Sequence, residues 1–363
     1  MKPQEKTKEH VVPRWLIELT GDPQRSAYFG INKQALKSTD PKRSFAFDQF
    51  VFPACKGCNE SFSTLEPLAK QTLLAILGDK SVHGSAISSL LDWFDKVRVG
   101  LWLGMRLLDK NIADVEPTFH IAKRIGQHDR MLITERSDTA SCRLNFVGVD
   151  TLCFALTPSA FMLIVNDFHF TNVSSLHLSS RRLGFPFSRS SRLLPDRDEV
   201  EVEMSSGIGR VMRPVLRRSI NERGLIVHQP MFGTSLADRP DELYDCDYVK
   251  LHSMDTARGI GNLFLETDSA VSEVGASEVV RFGTVARQSA RRLHYLAGIN
   301  ILEWQLWLHT QIPSMELLSS DQRRYVKRRF DTANSLNKVL IRAYRSRLAA
   351  MERSPTGPEG VRV

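Results

Sequence analysis

Apolar residues recur with a period near 3.6 in several parts of the chain, and this spacing predicts helices. In "LEPLAKQTLLAILG", Leu65, Leu68, Leu73, Leu74 and Leu77 fall near one face, and Gly78 ends the run. Residues 86–110, "AISSLLDWFDKVRVGLWLGMRLLDK", are apolar on more than one side, as a helix inside a domain would be. From about residue 130 the pattern shifts to strands. "RMLITER", "CRLNFVGVDTLCFALT", "AFMLIVNDFHF" and "EVEVEM" are rich in Val, Ile, Leu and Phe, with polar or Gly-bearing turns between them. The Arg-bearing "SSRRLGFPFSRSSRLLPDRDE" reads as a loop. Residues from about Asp247 to Met351 read as helical again, ending in a long helix with Ser319 or Ser320 as its cap and Asp321 in its first turn.

These patterns give an α+β chain with five parts. Residues 1–80 form an N-terminal unit, 81–130 a helical linker or packing region, and 131–245 a β-rich region. Residues 246–352 form a helical region, and 353–363 a disordered tail. A length of 363 residues suits two or three domains at roughly 100–200 residues each. No apolar run reaches the ~20 residues that span a bilayer. "MKPQEKTKEH" lacks the apolar stretch of a secretory signal, so a cytoplasmic protein without a membrane partner is expected.

The formal net charge of +8 changes the picture, because it favours an anionic partner such as nucleic acid. Two clusters concentrate this charge. Arg181, Arg182, Arg189, Arg192 and Arg197 lie in the Arg-bearing loop. Arg323, Arg324, Lys327, Arg328 and Arg329 lie on the last helix. With Arg14 and Lys56, residues Arg181, Arg182, Arg323, Arg324, Lys327 and Arg328 are the candidate phosphate contacts. The five cysteines make no disulfide framework, since only Cys55 and Cys58 are close in sequence.

Two short segments carry the candidate chemistry, "EHVVPRWL" from Glu9 and "FPACKGCNESFSTLE" from Phe52. Phosphodiester hydrolysis needs an activated water and a group that absorbs charge on the leaving oxygen. A neutral histidine can take the proton from water. A carboxylate and an amide oxygen suit a hard divalent cation. Adjacent strand residues face opposite ways, yet at a strand end Glu9 and His10 can serve metal and water respectively. An Asn after Cys-x-x-Cys would open a helix facing that strand.

The two segments together resemble the HNH, or ββα-metal, nuclease family, over about residues 5–70. The resemblance implies that His10 is the general base and that Glu9 and Asn59 hold Mg²⁺ or Mn²⁺. It also implies that Cys55 and Cys58 are half of a structural Zn²⁺ site. There are two departures. No Cys precedes Cys55 to complete a four-Cys zinc site, so either the zinc is absent, or Cys142, Cys153, Cys246 or a His completes it, or packing replaces the clip. The last ligand position of the motif is Ser63. Glu66 is read as structural, Trp15, Leu16 and Phe62 as core, and Pro13 as the end of the first strand. His128, Asp129 and Arg130 in "GQHDRML" read as a strand-entry turn, and His294, Trp304 and His309 as core.

The implied activity is metal-dependent cleavage of DNA rather than RNA, with bacterial defence or mobile-element biology as an analogy. The remainder of the chain would select a target, form a homo-oligomer or respond to a regulatory partner. The alternative is a catalytically degenerate DNA-binding protein with a ligand-sensing body.

Overall fold

The computed structural model describes residues 6–29, 43–60, 62–116, 129–139, 142–175, 187–194, 199–205, 224–231, 254–255, 260–266, 271–309 and 319–353. The fold is mixed α+β, with helices packed around an eight-strand sheet.

The N-terminal part opens with β1 (Lys6–His10) and α1 (Arg14–Leu19). A hairpin of β2 (Ser26–Phe29) and β3 (Arg43–Ala46) follows, then β4 (Val51–Cys55) and α2 (Lys56–Glu60). β1 pairs antiparallel with β4, Glu9 opposite Phe52 and His10 opposite Val51. This strand–strand–helix unit is closed by residues more than forty positions apart. Pro13 does not end the strand as expected. β1 stops at His10, and Pro13 stands at the cap position of α1, where its fixed φ suits a helix start and its missing N–H costs nothing.

Helix α3 (Leu65–Leu77) ends before Gly78 as its sequence predicts, but its inner face is rotated from the expected one. Ala69, Thr72, Leu73 and Ile76 are buried, while Leu68 and Leu74 are exposed. β5 (Ser81–His83) then leads into α4 (Gly84–Leu108), 25 residues long. α4 is no linker. It is buried on nearly all sides, with Trp93, Phe94 and Leu101 inaccessible, and it touches the N-terminal unit and the main sheet at once. The contact with the N-terminal unit requires Gly104, where a Cβ would lie 2.6 Å from Val11 Cγ2 and 2.8 Å from Phe50 Cε2.

The main sheet comprises β6 (Asp129–Ser137), β7 (Leu144–Val147), β8 (Ala160–Val165), β9 (Phe168–Ser175), β12 (Leu225–Pro230), β15 (Leu263–Glu266), β16 (Val271–Val274) and β18 (Arg287–Gln288). Its order is β16-β15-β12-β6-β9-β8-β7, all antiparallel, and the short β18 pairs parallel with the end of β6. β6 and β8 are buried at every position, so both sheet faces are covered and strict alternation is lost. The β8–β9 turn passes through Asn166, whose positive φ of 55° Asn tolerates better than most residues.

Three strand or helix assignments differ from expectation. Leu152–Leu156 forms a short helix, α5, because Thr151 caps it by accepting a hydrogen bond from Phe154 N at 3.1 Å. Within the Arg-bearing segment, β10 (Phe187–Leu194) pairs with β11 (Glu199–Ser205), so this part is a hairpin and not a loop. The described residues of 254–288 hold strands and one 3-10 turn, Phe282–Thr284, but no α-helix. Besides β15, β16 and β18 these strands are β13 (Met254–Asp255), β14 (Ile260–Gly261) and β17 (Val279–Arg281). Their periodicity escapes notice because each is two to four residues long and gains its hydrogen bonds from distant partners.

Helices α6 (Ala290–His309) and α7 (Ser320–Arg353) close the fold. α7 starts with a reciprocal cap: Gln322 N donates to Ser319 Oγ at 3.3 Å, and Ser319 N donates to Gln322 Oε1 at 2.9 Å. Trp304 and His309 are buried as expected, whereas His294 is exposed. No described helix is long and apolar enough to cross a membrane.

Two predictions follow from the packing. Gly104→Ala should destabilise the fold by about 1–3 kcal/mol through overpacking, despite a helix-propensity gain of up to about 1 kcal/mol. Gly57→Ala, with nothing within 4 Å of the new methyl group, should not destabilise it; urea unfolding of the two variants tests the contrast.

His169 gives a pH dependence. Burial, then the charge of Arg143 and then His294, lowers its pKa from 6.5 to about 3. The unfolded chain therefore binds this proton first. The stability held by neutral His169 is complete above pH 6.5 and is lost as pH falls toward 3, by up to about 1.4 kcal/mol per pH unit. His169→Gln should flatten that slope by about one proton in urea titrations at several pH values; an unchanged slope would refute the assignment.

Candidate active site

Glu9 and His10 end β1 and face opposite ways, as strand geometry requires. Glu9 is buried, and His10 is half-buried. Among the described residues the His10 side chain has no hydrogen-bond partner. Glu9 has one. Its Oε1 lies 2.8 Å from Nζ of Lys96, which projects from the middle of α4.

Lys96 is the residue that sequence reading missed. Its Nζ also donates to Glu66 Oε1 at 2.6 Å and stands 4.8 Å from the Phe62 ring centroid. Glu66 accepts a second bond from Trp15 Nε1 at 3.0 Å, and Trp15 packs against Trp93 of α4 with centroids 5.9 Å apart. Five expected features thus meet at one lysine: Glu9, Trp15, Phe62, Glu66 and the apolar helix. The structural role read for Glu66 is therefore specific, since it orients Lys96 toward Glu9. The signal in the sequence is a lysine amid the all-round apolar stretch of α4, a position where water cannot serve its charge.

One turn along, α4 carries a second buried charge cluster. Arg130 Nη1 donates to Asp92 Oδ1 at 2.8 Å and Asp95 Oδ2 at 2.7 Å, and its other nitrogens reach Gln229 Oε1 at 3.0 and 2.7 Å. Arg98 pairs with Asp95 at 2.9 Å and bonds Asn172 Oδ1. Burial alone would lower the pKa of Arg130; the carboxylates of Asp92 and Asp95 outweigh it and hold it above its usual value. For Arg98 burial prevails over Asp95, so its pKa falls. Asp129 and Arg130, read as a strand-entry turn, are wholly buried in β6. His128 lies outside the described residues.

The other expected site residues are dispersed. Arg14 is exposed and pairs with Glu18 at 2.8 Å, and Lys56 is exposed on α2. Arg323, Arg324, Lys327 and Arg328 are exposed along the first turns of α7. Arg181, Arg182, Arg197 and Cys246 lie outside the described residues, as do the side chains of Cys58, Asn59, Arg189 and Arg192.

A divalent cation at Glu9 would share that carboxylate with Lys96. Among the described residues no group of three or more His, Cys, Asp or Glu converges to hold a metal ion. Of the expected ligands only the Glu9 side chain is among the described residues, and one carboxylate is compatible with Mg²⁺, which keeps most of its waters. Of the thiols expected to join Cys55 and Cys58 at a zinc, Cys153 is buried, which pushes its pKa up to about 12. Its Sγ bonds Asn334 Oδ1 of α7 at 3.8 Å. Cys142 is exposed beside the edge strand β7.

The chain matches no known protein family, no curated protein and no solved structure.

Lys96→Met should destabilise the protein by about 3–5 kcal/mol, because it leaves Glu9 and Glu66 without their counter-charge. In the Glu9→Gln background the same change should cost less. A double-mutant cycle by urea unfolding measures this coupling; additive effects would show that Lys96 does not interact with Glu9.

Proposed function

We propose that the protein is a metal-dependent endonuclease that hydrolyses DNA, with His10 as the base that takes a proton from the attacking water. The observation that supports this most is the half-buried His10, whose side chain has no hydrogen bond among the described residues, one residue from the carboxylate of Glu9, at the end of a strand–strand–helix unit. A structural histidine would ordinarily spend its ring nitrogens on neighbours. Glu9 and Asn59 would hold Mg²⁺ or Mn²⁺, which when bound would neutralise charge on the scissile phosphate and leaving oxygen. Lys96 fixes Glu9 on the core side of β1, leaving His10 on the side open to solvent. The exposed Arg323, Arg324, Lys327 and Arg328 are suited to contacts with the phosphate backbone.

A second reading has its own observation. Lys96 already supplies a positive charge to Glu9 at 2.8 Å, as a site that had lost its metal would require. In that case the protein binds DNA without cutting it.

Plasmid DNA with Mg²⁺ or Mn²⁺ separates the two. Nicking or linearisation by the wild type, abolished by EDTA and reduced at least about 100-fold in His10→Ala, is the expected result. Retardation of DNA in a gel, with no cleavage by either protein under any metal, would instead select the binding reading. Cleavage unaffected by His10→Ala would remove His10 from the chemistry.

A further inference from the structure

A cavity of about 270 Å³ lies between the C-terminal end of α4, the turn after it, α5 and the middle of α7. It sits on the same helix as Lys96 but beyond the candidate active site. Trp102, Met105, Ala155, Leu336 and Leu340 give it a mainly apolar wall. Leu336 and Leu340 remain 52% and 41% exposed, so the cavity opens along α7.

One polar group of the lining stands out. Asn337 is only 1% exposed, and its Oδ1 has no hydrogen-bond partner. A buried amide oxygen without a partner is costly, because nothing replaces the water it has given up. A flipped amide would not remove the problem. Asn337 Nδ2 donates to Gln305 Oε1 at 3.0 Å and approaches Leu302 O at 3.5 Å. The orientation of Gln305 is itself fixed, since its Nε2 donates to Gly148 O at 2.7 Å and Ala160 O at 3.1 Å, while its Oε1 accepts from Thr151 Oγ1 at 2.8 Å. The network therefore commits the Asn337 nitrogen to the protein and leaves the oxygen for something else.

The charges of the lining narrow the choice. Asp109 and Asp150 contribute two carboxylates against one cation, Arg106, which is already bound to Glu116 at 2.6 Å. An anionic occupant is disfavoured. The volume falls just below the roughly 300–1,000 Å³ of clefts that take drug-sized ligands, which suits one or two rings.

We infer that this cavity is a binding site for a neutral, mainly apolar molecule of one or two rings that donates a single N–H or O–H hydrogen bond to Asn337 Oδ1. The inference stands independently of the nuclease reading, because it uses no residue of that site.

The test compares two probes of one shape on the full chain by calorimetric titration and saturation-transfer NMR. Indole carries one N–H donor, and benzofuran replaces it with an oxygen. Indole should bind the wild type about tenfold more tightly than benzofuran, as one neutral hydrogen bond predicts. Asn337→Leu should bind the two alike. Ala155→Phe, which leaves the backbone carbonyl that holds Trp102 Nε1 in place, should fill the cavity and bind neither. Circular dichroism establishes that both variants fold, and Ala155→Phe tests the site should Asn337→Leu fail to do so. Equal binding of both probes by the wild type, no binding of either, or undiminished binding by Ala155→Phe would overturn the proposal. So would a dimer in sedimentation that excludes both probes and dissociates on Leu340→Lys, since the cavity would then be an interface between copies.

Discussion

Helix α4 must bury charge without water, and the rest of the structure is arranged around how it does so. Lys96, Asp95 and Arg98 are each less than a tenth exposed. In such surroundings an unpaired ion costs several kcal/mol, so each one fixes a partner in space. Lys96 fixes Glu9 and Glu66 on the N-terminal side. Asp95, with Asp92, fixes Arg130 on the sheet, and Arg130 in turn holds Gln229 of β12. Gln229 passes the constraint to Ser88 Oγ on α4 and Gly261 O of β14, both at 3.0 Å. Polar pairing of this kind adds direction to a hydrophobic contact that would otherwise permit sliding. Gly104, fitted against Val11 and Phe50, sets how closely the same helix can approach the N-terminal unit.

This arrangement gives the two neighbours at the end of β1 different environments. Glu9 belongs to the interior, where its carboxylate is neutralised. His10 is half-buried, and its imidazole has no hydrogen bond among the described residues. A single residue step on a strand separates a buried, ion-paired side chain from a half-buried one. The low-dielectric side strengthens the Glu9–Lys96 attraction, and the wet side supplies the water that a base would need.

Local features of this fold were legible in the sequence, and distant ones were not. The helical period of α3 and α4, the capped start of α7 and the strand character of "AFMLIVNDFHF" each depend on residues within a few positions of one another. The inner face of α3 was misplaced because leucines at 68 and 74 outweighed Ala69 and Thr72 in a reading that counts hydrophobicity, whereas packing selects small residues at close approaches. Strands β13–β18 were missed because a strand of two to four residues has no period to detect. At the candidate site, Glu9, His10 and Glu66 could be singled out from their motifs. Lys96, thirty residues beyond Glu66, could not be joined to them, because its meaning depends on a tertiary contact. The same is true of Arg130, whose partners Asp92 and Asp95 lie on α4.

The position of Lys96 also bears on whether the N-terminal unit is portable. Glu9, Phe62 and Glu66 all lie within the first eighty residues, yet the counter-charge they surround and the glycine against which Val11 and Phe50 rest both come from α4. Grafted onto another scaffold, the unit would arrive with two carboxylates uncompensated and an apolar flank bare. Its inheritance is therefore tied to that of the body: a recombination junction placed after residue 80 would separate a lock from its key, and a viable exchange would have to carry α4 and the sheet charges that hold it.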